Sequence, residues 1–352
     1  MPSLNLPPEK PGSAILPTSL NTTLEDHVQQ IEWDASGQWF AAMPVMGSIL
    51  VGNAAGQEIA RLPGHGGGNS SIAWQPGQST LATYGHDGEV RLHSAPFDEP
   101  PRVLPIGKGW AERLAWNCDG SLLAVALGRD IHVLDARTGE RPHSWPDQKS
   151  TVADLVWNPR NSRELASVCD GGALLWRTGR TKPFARFDWG GASLLVSWSP
   201  GGRWIVTGDQ TPSVHIYDVK HDTPLHIQGF QTKVKSFAWL REGKQLAVSG
   251  SRVITVWPCH GRKGPDGSTP VQLVGHEVDV TCLEASPKAD ALLSADFDGK
   301  VLLWMPAKSE KPGLLTQVDD EITSLRMAPS GDRFLTGTHN GDLTLHLIRR
   351  LI

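Results

Sequence analysis

Ser71-Ile72-Ala73-Trp74-Gln75-Pro76-Gly77 decides the fold, because its alternating run, its Trp and its turn recur along the whole chain. Trp33, Trp74, Trp116, Trp157, Trp198 and Trp239 follow one another at intervals of 41, 42, 41, 41 and 41 residues. Ala285, ahead of Ser286-Pro287, and Met327, ahead of Ala328-Pro329, keep the frame but lose the Trp. A fixed period of this length means one supersecondary unit copied many times.

Each unit has the same internal grammar. In the second, the run ending at Trp74 meets the turn Gln75-Pro76-Gly77. Leu81-Ala82-Thr83-Tyr84 reads as a short strand, His86-Asp87-Gly88 as a tight turn, and Val90-Arg91-Leu92-His93 as a third strand. Arg102-Val103-Leu104-Pro105 is the fourth. β-Branched and aromatic residues suit these half-buried, pleated surfaces.

These residues resemble the WD-repeat β-propeller family, over essentially residues 13–352. The seventh unit matches most fully: Gly275-His276, Ser294, Asp298-Gly299 and Val301-Leu302-Leu303-Trp304. The resemblance implies that His276, Ser294, Asp298 and Trp304 form a buried hydrogen-bonded tetrad, since a buried polar group without a partner costs roughly 2–7 kcal/mol. The second unit offers Gly64-His65, Thr83 and Asp87, with His93 in place of the Trp.

Eight first-strand runs, beginning near Val28, Ser71, Arg113, Val152, Leu195, Val234, Val280 and Ile322, lead to an expected all-β fold. It is an eight-bladed propeller of four-stranded antiparallel blades. The chain stops after the eighth third strand, so Ser13-Ala14-Ile15-Leu16 is expected to complete the last blade and close the ring. Residues 1–12, Pro-rich and without an apolar core, read as a disordered tail, and 13–352 as one domain.

Composition narrows the function. Gly 37 and Pro 26 fit a turn-rich fold, and no apolar run approaches the ~20 residues of a membrane helix. A net charge of −4 suggests neither a nucleic-acid footprint nor a membrane patch. Cys118, Cys169, Cys259 and Cys282 stand far apart, as reduced thiols of a cytoplasmic protein would. No nucleophile motif or phosphate loop is present, and Gly64-His65-Gly66-Gly67-Gly68 precedes no helix. No catalytic residue, cofactor or metal is therefore assigned.

What remains is a surface. The loops entering the first strands and the turns between second and third strands share one face, which in the family is the wider partner-binding surface. There, units seven, eight and one carry Glu25, Asp26, His27, His276, Glu277, Asp279, Asp298, Asp319, Asp320 and Glu321. Lys149, Lys233 and Lys235 of units four and six, and Arg113 of unit three, oppose this acidic arc. Such a division orients a partner. Trp110, six residues before Trp116 and outside the repeat frame, is the candidate aromatic hot spot. Trp189 and Phe230 stand where His65 and His276 stand in their own units. The residues 259–268 form an inserted loop on the opposite face.

The expected function is a non-catalytic scaffold or adaptor, monomeric on its own, that docks a protein or peptide on the loop-rich face. The alternative is a metal- or small-ligand-binding, or enzymatic, propeller using the His/carboxylate arc with His27 and His276. Their spacing is not that of a metal motif.

Overall fold

The computed structural model describes residues 16–348, apart from 222, 262 and 308. The expected tail 1–12 and Ser13-Ala14-Ile15 lie outside the described residues. Among the described residues, no helix is long and apolar enough to cross a membrane.

In the second unit the strands are Asn69–Trp74, Thr80–Gly85, Glu89–Ser94 and Arg102–Pro105. They pair antiparallel in that order, with Ile72 opposite Thr83, Tyr84 opposite Val90 and Val90 opposite Leu104. The first strands are innermost and line a central channel of about 700 Å³. Residues alternate because a side-chain period of two turns every second residue toward the neighbouring unit.

The expected eight separate blades are not formed: the strands assemble into seven sheets, six of four strands and one of six. The ring is thus a seven-bladed propeller with one wide blade. Units four and five share that blade through the long strands Glu164–Arg177 and Ala185–Trp198. Asp170 pairs with Ala192 and Gly172 with Asp188, so hydrogen bonds run laterally from one unit into the next. The chain reverses within Glu164–Arg177, since Trp176 Nε1 donates to Ser167 Oγ at 2.8 Å. Gly171 (φ 98) and Gly172 (φ 108) permit this, and a Cβ on Gly172 would lie 2.2 Å from the Phe187 carbonyl oxygen. A repeat period counts units along the chain; it carries no record of a hydrogen bond made sideways.

The ring closes through the amino-terminal segment, with Thr18–Thr23 as the pairing strand. Thr18 faces His346 and Thr23 faces Asp342 on Asp342–Leu347. Side chains reinforce the seam: Thr323 Oγ1 donates to the Val28 carbonyl at 2.7 Å, and Ile31 N donates to Ser324 Oγ at 3.1 Å. Behind them Ile31, Phe40 and Leu50 pack on Leu335, Leu343 and Leu345. Each fully buried aliphatic or aromatic side chain contributes about 1.5–3 kcal/mol.

The repeating Trp explains the period. Trp74, Trp116, Trp157 and Trp198 each donate their indole N–H to a backbone carbonyl of the preceding unit: Glu32, Ala73, Ala115 and Val156, at 2.9–3.2 Å. Trp239 does the same to Ser197 Oγ at 3.0 Å. Each ring fills the gap between units while its polar edge is satisfied across it. Trp33, whose preceding unit lies across the seam, is buried with no partner for its N–H among the described residues.

Candidate docking face

The seventh unit contains the hydrogen-bonded core, with one member corrected. His276 Nε2 meets Ser294 Oγ at 2.6 Å, and Trp304 Nε1 donates to the same oxygen at 2.8 Å. The carboxylate facing His276 Nδ1 belongs to Asp296, at 2.6 Å, and not to Asp298. Asp298 is exposed, and its backbone N–H donates to Asp296 Oδ1. Asp296 ends the strand Leu292–Asp296, two residues beyond Ser294, so its side chain lies on the same face of the strand. In the second unit that place is Gly85, where a Cβ would come 2.2 Å from His65 Cβ. There Asp87 reaches His65 Nδ1 from the turn at 2.9 Å, Thr83 meets His65 Nε2 at 2.9 Å, and His93 stands in for the Trp.

Part of the acidic arc is a true cluster. The turn at Gly299 presses on the backbone carbonyls of Val318 and Asp320, which joins unit seven to unit eight. At the closing seam, His27 Nδ1 stands 3.0 Å from His339 Nδ1, and Asp320 Oδ2 accepts from the Asn340 N–H at 2.7 Å. Burial and the neighbouring His339 lower the His27 pKa, against the pull of Glu321, Asp26 and Asp320. Units eight and one therefore gather Asp26, His27, Asp320, Glu321 and His339 at one place. Glu277 and Asp319 are exposed and Asp279 is half-buried; Glu277 lies 4.0 Å from Lys300. Glu25 is spoken for. Burial opposes its ionisation, but hydrogen bonds from Ser48 and the charge of Arg61 hold its carboxyl below the usual range.

The opposing basic side is less distinct than the sequence suggests. Arg113 is on the strand Ala111–Trp116 and faces the central channel, where its Nε donates to Asp154 Oδ1 at 3.0 Å. Lys149 pairs with Asp170 at 2.9 Å. Lys235 lies over the Phe297 ring at 3.9 Å, next to the acidic turn. Lys233 is exposed at the loop leading into unit six.

Trp110 is 64% exposed, the most open large apolar side chain among those described. Its ring rests on His86 at 4.8 Å, so it is held in place while presenting a face outward. Met46 and Val45, also exposed, extend this apolar ground, and Met46 Sδ and the His86 ring both flank Gly68. Trp145 is buried instead: it stacks on Trp176 at 5.0 Å and donates to the Arg180 carbonyl. The inserted loop packs against unit five. Trp204 Nε1 donates to the Cys259 carbonyl at 3.1 Å, and the Trp204 ring lies against Gly264.

Two groupings escape sequence reasoning. In the channel, Arg326 lies 3.4 Å from both Glu32 and Glu284. Its side chain is 38% exposed, but to channel solvent inside the ring wall. Burial pushes the Glu284 carboxyl up to about 7, against the pull of Arg326. Glu284 sits 42 positions from Arg326 in the preceding unit, whereas Glu32, 294 positions away, reaches it only through ring closure. In unit five, Asp209 is buried beside His215 and His226. The available signal was Thr207-Gly208-Asp209, which repeats the spacing of Ser294-Ala295-Asp296.

A family model, the WD domain, G-beta repeat, matches residues 56–94 and 267–305. THO complex subunit 3 of Arabidopsis thaliana is 23% identical over 54% of this chain and 61% of its own length. The WD repeat-containing protein srw1 of Schizosaccharomyces pombe is 22% identical over 67% of this chain and 43% of its own. A Caenorhabditis elegans homologue of periodic tryptophan protein 2 is 21% identical over 77% and 30%. The chain thus spans less than two thirds of the length of each of these relatives. Among solved structures, the computationally designed Ika8 protein superposes with a TM-score of 0.78, covering 94% of this chain and 99% of its own at 16% identity. A chain of the mitotic checkpoint complex gives 0.65, also at 16% identity, over 99% and 100%. Both likenesses concern the fold. The matched repeats, the Trp period and the seven-sheet ring agree: the chain carries WD-domain repeats on a β-propeller fold, and its relatives include WD-repeat proteins.

Proposed function

We propose that this protein is a non-catalytic scaffold that docks a basic protein or peptide segment on its loop-rich face, over the seam where the ring closes. The observation that carries this reading is the convergence of Asp26, Asp320 and Glu321 on His27, with Asp319 exposed beside them. Carboxylates on one rim steer and orient a Lys/Arg-rich partner, chiefly through the association rate. Trp110 supplies an apolar anchor on the same face, and Arg113 is reassigned to the channel wall. Relatives named as a subunit of a complex support an assembly role, because such a subunit acts through contacts.

The test is a comparative capture from native lysate. One bait is the native chain; the other carries Asp319→Lys, Asp320→Lys and Glu321→Lys. Partners retained by the first and lost by the second are expected, with capture by the native bait weakening as salt is raised. An identical partner set for both folded baits refutes docking at the seam.

A further inference from the structure

Unit five departs from the hydrogen-bonded core of units two and seven in a way that structural need does not explain. Its entering loop offers Trp189 in place of His276. An imidazole comes instead from His215 on the third strand, Ser213–Asp218, and a second from His226 on the outer strand, Thr223–Gln228. Asp209 is 1% exposed and His215 5%. Asp209 Oδ1 accepts from Ser193 Oγ at 2.8 Å and from Thr207 Oγ1 at 3.3 Å. Its Oδ2 accepts from Ser213 Oγ at 2.8 Å and faces His215 Nδ1 at 2.8 Å. One imidazole is enough to satisfy this carboxylate. The second, His226, adds no bond to it, yet its ring stacks on His215 at 4.2 Å.

We propose that Asp209, His215 and His226 form a binding site for a late first-row divalent metal ion, with Zn²⁺ or Cu²⁺ as the chemical class. The three residues place a carboxylate oxygen and two imidazole nitrogens within 4.8 Å of one another. Two imidazoles and a carboxylate are a donor set that these ions favour. Ligands held about 2.0–2.2 Å from one ion stand roughly 3 Å apart, and the Asp209–His215 separation of 2.8 Å is already of that size. The ion takes the place of the hydrogen that links Asp209 Oδ2 and His215 Nδ1, and the imidazole carries that hydrogen on Nε2 once Nδ1 ligates. His226, half-buried on the outer strand, completes the set by turning its ring edge out of the stack. The hydroxyls of Ser193, Ser213 and Thr207 hold Asp209 in orientation, the role that surrounding hydrogen bonds play at metal centres.

Access agrees with this. His226 lines a cleft of about 390 Å³ with Trp189, Ser213, Gln228 and Phe230. The Trp189 ring walls the site, 4.4 Å from His215 and 4.9 Å from His226. The inference does not depend on docking at the seam, which lies in other units.

The experiment is calorimetric titration of the metal-free full chain with Zn²⁺, beside His226→Ala and Asp209→Asn. One Zn²⁺ per chain is expected, with at least tenfold weaker binding in either variant. The near-ultraviolet circular dichroism of each variant reports its folding; if Asp209→Asn does not fold, His226→Ala decides alone. Equal affinity in folded His226→Ala, or no stoichiometric binding by the native chain, overturns the proposal.

Discussion

Replacing Trp116 by Phe tests whether the repeating indole N–H holds adjacent units together. Trp116 is 8% exposed and donates to the Ala73 carbonyl across the gap at 3.1 Å. The change shrinks the ring and leaves that carbonyl without its indole donor. Trp33 is the internal control: it is 9% exposed, occupies the same place in its unit, and its N–H has no partner among the described residues. Both substitutions therefore lose similar apolar volume, and only Trp116→Phe loses a hydrogen bond. Stranding a buried partner costs about 1–3 kcal/mol, so Trp116→Phe should exceed Trp33→Phe by that amount. Removing an unpartnered N–H even returns part of the cost in Trp33→Phe, which widens the gap. The assay is equilibrium urea unfolding followed by far-ultraviolet circular dichroism, with midpoints compared at equal slope. Equal losses for the two variants, within about 0.5 kcal/mol, would refute the stapling role and leave packing alone to explain the period.

Three further outcomes are expected. Asp296→Ala should cost about 3–5 kcal/mol because it strips the partner from buried His276, whereas Asp298→Ala should stay within roughly 0.5 kcal/mol; thermal unfolding of the two would expose the reverse order. Gly172→Ala should destabilise by a few kcal/mol, about 2 or more, since its φ of 108 is hostile to a side chain and the Cβ meets the Phe187 carbonyl oxygen at 2.2 Å; an unchanged urea midpoint would contradict the tight seam between units four and five. Burial lowers the His346 pKa to about 4 from an ordinary 6.5. Above 6.5 the ring is neutral folded or unfolded, and below it only the unfolded chain takes the proton. Stability is therefore lost as pH falls from 6.5 toward 4. The stability difference between the native chain and His346→Phe should shift against the native chain by about 1.4 kcal/mol per pH unit in that window, measured by urea unfolding near pH 7 and pH 5; a pH-independent difference would show that His346 is not held neutral.

Much of the fold was legible because its cause is local. The alternation around Trp74 and the turn at Gln75-Pro76-Gly77 specify a strand and a reversal within a dozen residues, and the period copies them. The hydroxyl, imidazole and Trp of the seventh unit were legible through the resemblance to WD-repeat proteins. The carboxylate was not. Asp296 and Asp298 both lie within reach in sequence, and the choice depends on which face of the strand looks at His276. Arg113 shows the same limit: a charged residue at the start of a strand reads as a rim residue until the channel brings Asp154 beside it.

By itself the sequence determined the repeating four-stranded unit, the ring that such units must form to bury their faces, and the place of each Trp between neighbours. Only the tertiary structure decided the number of sheets, because the Asp170–Ala192 pairing that merges units four and five is a lateral hydrogen bond with no signature in spacing. It alone brought Glu32, Glu284 and Arg326 together in the channel, His27 to His339 at the seam, and His226 to Asp209 and His215. The physical reason is common to all of these. Periodicity reports what each residue does within its own unit, whereas charge and ligand chemistry depend on which units the closing ring sets side by side.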